Sequence, residues 1–245
     1  MKPRRIVAIA VIGLAAIVAV SALGFLAWTR ASRYEAFPSA RALVAGDVKT
    51  AEGWYAFRPD APDGTGLVFY PGGLVDPAAY APLMKAVSER GILAVIVPMP
   101  LDLAFAGVSK ADSVIAAFPE IRAWAIGGHS LGGAMAAQYV KDRPGAVRGL
   151  ALLASYPAEN VDLSGLPIPA LSIYGTRDGL AADEFVASFA RLPGARATVA
   201  LEGGNHAQFG DYGPQKGDGV ATMSREEQQA RTVEAVVALM RAASE

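Results

Sequence analysis

Residues 128–132 of this chain read Gly-His-Ser-Leu-Gly, a serine with a glycine two positions away on each side. The apolar run 123–126 precedes them, and a segment rich in alanine and methionine, 133–139, follows. This order predicts a buried strand, a sharp turn and a helix, with Ser130 raised above the end of the strand. Side chains in place of the two glycines would collide with the neighbouring backbone, which explains both of them.

A nucleophilic serine needs a base, and the 245-residue chain offers two histidines. His129 is adjacent to Ser130 on the turn, so the two side chains should diverge. We interpret His129 as a buried packing or hydrogen-bonding residue. His206 lies in a glycine-rich loop after the predicted strand 197–201, and loops at the carboxyl ends of strands are where sites gather in open α/β sheets. We therefore predict that Ser130 is the nucleophile and His206 its general base and acid.

The third predicted site residue is Asp178, which follows the apolar segment 170–175 and lies between the serine and the histidine in the chain. We predict that it orients the imidazole of His206 and stabilises its cation. The alternative is that Asp178 only forms an Asx turn before Gly179. The rival carboxylates are Glu202, Asp183 and Asp211. The position at a strand end favours Asp178, and so does the chain order serine, aspartate, histidine, which resembles that of the α/β hydrolases.

The loop after the predicted strand 66–70 reads Pro-Gly-Gly-Leu at residues 71–74. Together with the ordered serine, aspartate and histidine, this loop resembles the α/β-hydrolase superfamily. The resemblance implies an α/β fold with a mostly parallel sheet and helices on both faces. It also implies an oxyanion hole made of backbone N–H groups, here those of Gly73 or Leu74 and of Leu131.

Two sequence blocks narrow the resemblance. Residues 70–77 and 203–213 look like a bacterial subfamily of small, often membrane-anchored serine hydrolases, similar in outline to dienelactone hydrolases. Those enzymes use a cysteine nucleophile, whereas this chain contains no cysteine. The likeness covers most of the chain after about Ala51. The subfamily has no agreed substrate, so the resemblance predicts the fold and the site residues better than it predicts the function.

Composition agrees with this fold class and excludes other functions. A hydrophobic content of 53% with 18% charged residues suits a parallel sheet covered on both faces. The net charge of −1 gives no electrostatic case for binding nucleic acid. We predict no cofactor and no metal site. A cation site at Asp211 and Asp218 is conceivable, but a turn-rich loop that shapes the position of the histidine is the favoured interpretation of residues 210–219.

The N-terminal segment carries a different signal. Basic residues precede an apolar run from Ile6 to Trp28, and Arg30 and Arg33 follow it. A run of this length can span a bilayer as a helix. A cleavable signal peptide is the alternative, with residues 20–22 as a weak cleavage site.

We therefore expect a transmembrane anchor or signal segment over residues 1–33 and an α/β-hydrolase domain over residues 34–245. The positive-inside tendency predicts a cell-membrane protein whose hydrolase domain lies outside the cytoplasm. A secreted or periplasmic form would result if the segment were cleaved.

The rest of the chain alternates strands with helices, which is typical of a parallel sheet with crossover helices. An early strand at residues 53–58 is expected to be antiparallel. Asp76 is expected to cap a helix that ends at Gly91. Only residues 155–169 separate the strand after the serine helix from the strand that leads to Asp178. We therefore expect no large lid.

These features predict a serine hydrolase acting on a small, soluble carboxylic ester. Thioesterase, lactonase, peptidase and cofactor-free perhydrolase activities could use the same residues, since acyl specificity depends on the pocket rather than on the triad. A non-catalytic binding protein on the same fold is the alternative from a different class.

Overall fold

The computed structural model describes the backbone of residues 3–245 and the side chains of residues 11–245 except those of 47, 182 and 183. Internal packing divides the chain into two units, Met1–Arg33 and Tyr34–Glu245. The first unit contains helix α1, Pro3–Ala31. Its segment Val11–Ala31 is long and apolar enough to cross a membrane.

The second unit is built on a central sheet. Its strands are β1 (Tyr55–Phe57), β2 (Thr65–Tyr70), β3 (Leu93–Ile96), β4 (Ala123–His129), β5 (Gly149–Leu153), β6 (Ala170–Gly175) and β7 (Arg196–Leu201). Within the described residues they form one seven-stranded sheet in the order β1-β3-β2-β4-β5-β6-β7. Strand β1 pairs antiparallel with β3, and the other pairs are parallel. Both features confirm the sequence prediction.

The helices of this unit are α2 (Pro38–Ala42), α3 (Ala81–Ser88), α4 (Lys110–Ala117), α5 (Leu131–Asp142), α6 (Ala182–Ser188) and α7 (Arg225–Ser244). Alternate residues of β2 enter two separate cores, because successive side chains of a strand point to opposite faces. Leu67 and Phe69 pack with α3 and α7, whereas Val68 and Tyr70 pack with α4 and α5. Helices therefore cover both faces, as predicted.

The helix predicted after Asp76 is shorter than expected. Asp76 does accept a hydrogen bond from the N–H of Ala78 at 3.1 Å, but the turn it caps, Pro77–Tyr80, is a 3-10 turn. The α-helix begins only at Ala81. Pro82 explains the break, since it has no N–H to donate to the carbonyl of Ala78.

The connection between β5 and β6 confirms the prediction that the fold has no large lid. Within the described structure, residues 154–169 contain neither helix nor strand. The carboxyl ends of the central strands are therefore not covered by an inserted helical domain.

Candidate active site

Ser130 lies on the sharp turn between β4 and α5. Its backbone adopts φ 51° and ψ −123°, a conformation that costs a non-glycine residue of the order of 1–3 kcal/mol. A Cβ on Gly128 would lie 2.4 Å from the carbonyl carbon of Gly132, and one on Gly132 would lie 2.1 Å from the carbonyl oxygen of Tyr70. The steric explanation of the two glycines is therefore confirmed.

His206 and Asp178 form a buried pair after β7 and β6. Nδ1 of the imidazole and Oδ2 of the carboxylate are 2.8 Å apart. The other carboxylate oxygen, Oδ1, accepts from the N–H groups of Leu180 at 2.8 Å and Ala181 at 3.1 Å. Asp178 thus makes its local turn and contacts the histidine at the same time, so the turn is not its only interaction.

The pairing determines which nitrogen of His206 is free. A carboxylate accepts but does not donate, so the proton is assigned to Nδ1 and the lone pair to Nε2. Nε2 is buried and has no hydrogen-bond partner among the described residues. His206 and Ser130 line the same cavity of about 300 Å³. The structure therefore brings Ser130, Asp178 and His206 to one edge of the sheet.

Among the described side chains, neither of the rival carboxylates Glu202 and Asp211 is hydrogen-bonded to the histidine. Glu202 is exposed. Asp211 accepts a hydrogen bond at 2.7 Å from Nε2 of Gln229, and burial raises the pKa of its carboxyl group. The side chain of Asp183 lies outside the described residues. Asp178 is the carboxylate at hydrogen-bond distance from His206 Nδ1.

Two of the three candidate oxyanion residues lie side by side. A Cβ on Gly73 would be 3.1 Å from Cδ2 of Leu131, so the loop after β2 touches the start of α5. The first N–H groups of a helix have no acceptor within that helix, which leaves the N–H of Leu131 available to a ligand. The N–H of Leu74, in contrast, donates to the carbonyl of Asp102 at 2.8 Å. Leu74 is therefore not a free donor, and Gly73 is the better candidate on that loop.

His129 is fully buried, and its surroundings were not predictable from sequence. Its Nδ1 lies 2.8 Å from the hydroxyl of Tyr80, which also accepts the N–H of Gly72 at 3.0 Å. Burial raises the pKa of Tyr80, so this hydroxyl keeps its proton. Because the hydroxyl already accepts from Gly72, its proton is assigned to the bond with Nδ1. The pairing extends from the loop that carries Gly73 to the turn that carries the serine.

The rings of His129 and His206 are 4.6 Å apart between centroids. Burial lowers the pKa of His129 well below 6.5, and the positive charge that His206 can acquire lowers it further, while the backbone of His206 opposes the shift. His129 is therefore a neutral neighbour of the candidate base. The expectation of a packing and hydrogen-bonding role agrees with these contacts.

Ser155 was also missed by sequence reasoning. It follows β5, lines the cavity beside Ser130, and donates its hydroxyl proton to the carbonyl of Ser130 at 2.6 Å. Only the position after a predicted strand end could have pointed to it.

The loop at residues 210–219 does not have the character of a cation site. The carboxylate of Asp211 accepts from Gln229, and that of Asp218 accepts backbone N–H groups. These donors present positive charge where a cation would have to bind. Among the described residues no group of three or more metal-ligating side chains occurs.

A larger cavity, of about 640 Å³, lies at the amino edge of the sheet. It contains four arginines, Arg90, Arg122, Arg148 and Arg241, but none of the residues predicted for the site. The candidate chemistry is at the opposite edge, where β4, β6 and β7 end.

Comparison with known proteins identifies the family. The profile of the alpha/beta hydrolase family matches residues 66–230, about two thirds of the chain. The chain belongs to the alpha/beta hydrolase family. Among curated proteins no sequence matches the chain.

Solved structures resemble the fold of this alpha/beta hydrolase at low sequence identity. An esterase from the planctomycete Thermogutta terrifontis, with propionate bound, is 15% identical with a TM-score of 0.53, over 76% of this chain and 88% of its own. An esterase domain of a Rhodothermus marinus protein is 15% identical with a TM-score of 0.57, over 78% and 94%. Est1E from Butyrivibrio proteoclasticus, with ferulic acid bound, is 11% identical with a TM-score of 0.60, over 77% and 95%.

Proposed function

We propose that this alpha/beta hydrolase is a serine hydrolase that cleaves small carboxylic esters through an acyl-enzyme. The observation that carries the proposal is the buried pair of His206 and Asp178, which leaves Nε2 of His206 without a hydrogen-bond partner among the described residues, beside a cavity that both His206 and Ser130 line. A carboxylate-oriented histidine beside a serine on a strained strand-to-helix turn is the arrangement that activates a serine for acyl transfer.

The reaction follows from the roles of these groups. Ser130 Oγ attacks the acyl carbon while Nε2 of His206 takes the hydroxyl proton, and Asp178 stabilises the imidazolium. The N–H groups of Gly73 and Leu131 bind the oxyanion. The ester C–O bond then breaks as His206 passes the proton to the leaving alcohol. Water, deprotonated by His206, attacks the acyl-enzyme in the same way and releases the acid.

The cavity favours a small acyl group. Its volume of about 300 Å³ is at the lower end of the range for ligand pockets, about 300–1,000 Å³. Besides the site residues and the three larger side chains of Leu131, Tyr156 and Leu180, it is lined by alanines: Ala134, Ala154, Ala158 and Ala181. The Thermogutta terrifontis esterase binds propionate, a three-carbon acid, which supports a short acyl substrate for the present chain.

Other acyl transfers use the same machinery. Thioesters, lactones and amides would each be attacked by Ser130 and protonated by His206, and the pocket rather than the triad would select among them. No cofactor takes part in the proposed reaction. We further propose that α1 anchors the protein in the cell membrane with the hydrolase domain outside the cytoplasm, on the basis of the length of its apolar run and the basic residues before that run.

A fluorophosphonate probe tests the proposal, because it reacts covalently only with an activated serine. We expect the wild-type chain to be labelled on Ser130 and to hydrolyse p-nitrophenyl acetate. Ser130→Ala should abolish labelling and lower kcat by about 10⁴- to 10⁶-fold with the fold intact. His206→Ala should lose nearly as much, and the double variant little more than either one.

The second serine of the cavity provides the control. Ser155→Ala should still be labelled, because the Ser155 hydroxyl donates to the carbonyl of Ser130 rather than to a base. A wild-type chain that neither reacts with the probe nor hydrolyses any ester would instead indicate a binding protein. Activity that depends on His129 but not on His206 would overturn the assignment of the base.

A further inference from the structure

Asp218 lies in the loop between β7 and α7, and its carboxylate accepts four backbone N–H groups. Oδ1 accepts from His206 at 3.1 Å and from Gly219 at 2.8 Å. It also accepts, at the longer distance of 3.4 Å, from Gly179. Oδ2 accepts from Ala207 at 2.9 Å. One side chain therefore bonds the backbone at residues 206–207, the turn that follows Asp178, and the residue that follows Asp218 itself.

Close backbone packing holds this carboxylate in place. A Cβ on Gly219 would lie 2.0 Å from the carbonyl oxygen of Arg177, and one on Gly179 would lie 2.4 Å from the carbonyl oxygen of Gly217. The loop at 217–219 thus lies directly against the turn at 177–179. Only residues without a side chain allow this approach, which brings Asp218 between the acid turn and the histidine.

The contacts of Asp218 go to backbone groups of the candidate base and of residues next to the candidate base and acid. His206 is held at two points, its N–H by Asp218 and its Nδ1 by Asp178 at 2.8 Å. The residue after Asp178, Gly179, donates to the same Asp218 carboxylate. A second carboxylate, which is not among the residues that line the cavity, thus contacts the backbone of both the acid turn and the base.

We propose that Asp218 is a positioning residue, which holds His206 at the distance and angle from Asp178 that directs Nε2 toward Ser130. This inference rests on the proposed function of the triad. A carboxylate suits the role because N–H bonds to an ionised acceptor are about twice as strong as neutral ones, and because both of its oxygens accept. An amide in its place keeps one acceptor oxygen and presents an NH₂ group to the other N–H donors.

The variant Asp218→Asn, in the detergent-solubilised full-length chain, tests the inference. A displacement of a catalytic group by about 1 Å can cost about 100-fold in rate, so we expect kcat to fall by about 10- to 100-fold. KM should change little, because Asp218 does not line the cavity. Asp218→Glu keeps the charge but moves the oxygens by one methylene, and its rate should lie between those of the wild type and Asp218→Asn.

Asp211→Asn is the matched control. Asp211 is also between β7 and α7, but its carboxylate bonds the side chain of Gln229 on α7 and not the backbone at residues 206–207. We expect wild-type kcat from this variant. The NMR signal of the proton between His206 Nδ1 and Asp178 provides a readout that does not depend on activity. It should shift or broaden in Asp218→Asn and stay unchanged in Asp211→Asn.

Two results would overturn the inference. One is an Asp218→Asn variant with wild-type kcat and an unchanged proton signal. The other is a loss of rate that disappears when rates are divided by the folded fraction, together with an unchanged signal, because that would make the role of Asp218 purely one of stability. If the wild-type chain hydrolyses no ester, the proposed function fails, and the proton signal alone then decides whether Asp218 positions His206.

Discussion

At the scale of single residues, the candidate site brings together two histidines whose ring nitrogens have different partners. His206 has an oriented Nδ1 and a free Nε2, whereas His129 accepts a hydrogen bond from Tyr80 through Nδ1. The contact of 4.6 Å between their rings means that a charge on one disfavours a charge on the other. A neutral His129 therefore leaves His206 free to become the imidazolium of the proposed reaction.

The lowered pKa of His129 predicts a specific dependence of stability on pH. Below about pH 6.5 an unfolded chain binds a proton at this residue that the folded chain does not, so the free energy of unfolding falls as the pH falls. One such group contributes a slope of up to about 1.4 kcal/mol per pH unit. His129→Asn should remove this slope, as measured by urea unfolding of the detergent-solubilised chain between pH 5 and pH 8.

Tyr80→Phe provides the comparison for this experiment. It removes the hydroxyl that bonds Nδ1 but leaves the buried imidazole in place, so the slope below pH 6.5 should persist. Identical slopes in the wild type and in His129→Asn would contradict the assignment of His129 as a neutral buried group.

At the scale of elements, the contact between α5 and the end of β2 positions Ser130, the proposed nucleophile. Gly132 is the second residue of α5, and its backbone lies against the carbonyl groups of Tyr70 and Pro71. The same approach places Leu131 beside Gly73. The start of the helix and the loop after β2 can thus approach each other, as the proposed oxyanion hole requires, only because residue 132 has no side chain.

Gly132→Ala separates local preference from tertiary contact. Helix propensity alone predicts stabilisation by about 1 kcal/mol. The new Cβ, however, would lie 2.1 Å from the carbonyl oxygen of Tyr70, and forced overpacking costs about 1–3 kcal/mol or more. We therefore expect a lower melting temperature and loss of fluorophosphonate labelling. Gly165→Ala, where a Cβ would have no atom within 4 Å, should change neither. A Gly132→Ala chain with wild-type stability would contradict the argument.

At the scale of the whole molecule, the first residues of the hydrolase unit form backbone hydrogen bonds with loops of the candidate site. The N–H of Tyr34 donates to the carbonyl of Leu74 at 2.7 Å, and its own carbonyl accepts from Asp76 at 2.9 Å. Phe37 donates to the carbonyl of Asp211 at 2.8 Å. Residues 34–37 therefore hold both the loop after β2 and the loop after His206.

Two truncations test this contribution. A chain that begins at Arg33 keeps these hydrogen bonds, so we expect it to be released from membranes and to retain the kcat of the full-length chain. A chain that begins at Pro38 loses all three, and kcat should fall because the loop that carries Gly73 is no longer held. Equal activity of the two would show that residues 34–37 are dispensable.

The same experiments address location. The full-length chain should stay with membranes in high salt and carbonate and be released by detergent, and protease added to spheroplasts should digest its hydrolase unit. A native form that begins near Leu23 would indicate a cleaved signal peptide instead. Protection from protease without cleavage would reverse the topology.

The fold and the three candidate site residues could be read from local patterns. The steric requirements of a serine on a sharp turn between a strand and a helix are met by the five residues Gly-x-Ser-x-Gly. The strands and helices are predicted by the periodicity of apolar side chains over short segments. Asp178 and His206 were predicted because each follows a strand end, where sites gather in open α/β sheets, and because their order after the serine is that of the α/β hydrolases.

Contacts between distant segments had no such pattern. Spacing in the sequence does not predict three of the hydrogen bonds around the candidate site. They join Asp218 to the N–H of His206, Tyr80 to Nδ1 of His129, and the carbonyl of Asp102 to the N–H of Leu74. These pairings depend on how loops pack after the sheet has formed, and a loop residue has many possible partners at similar cost in free energy. Periodicity thus determines the elements and their order, whereas the tertiary packing of the loops selects which donor meets which acceptor around the serine.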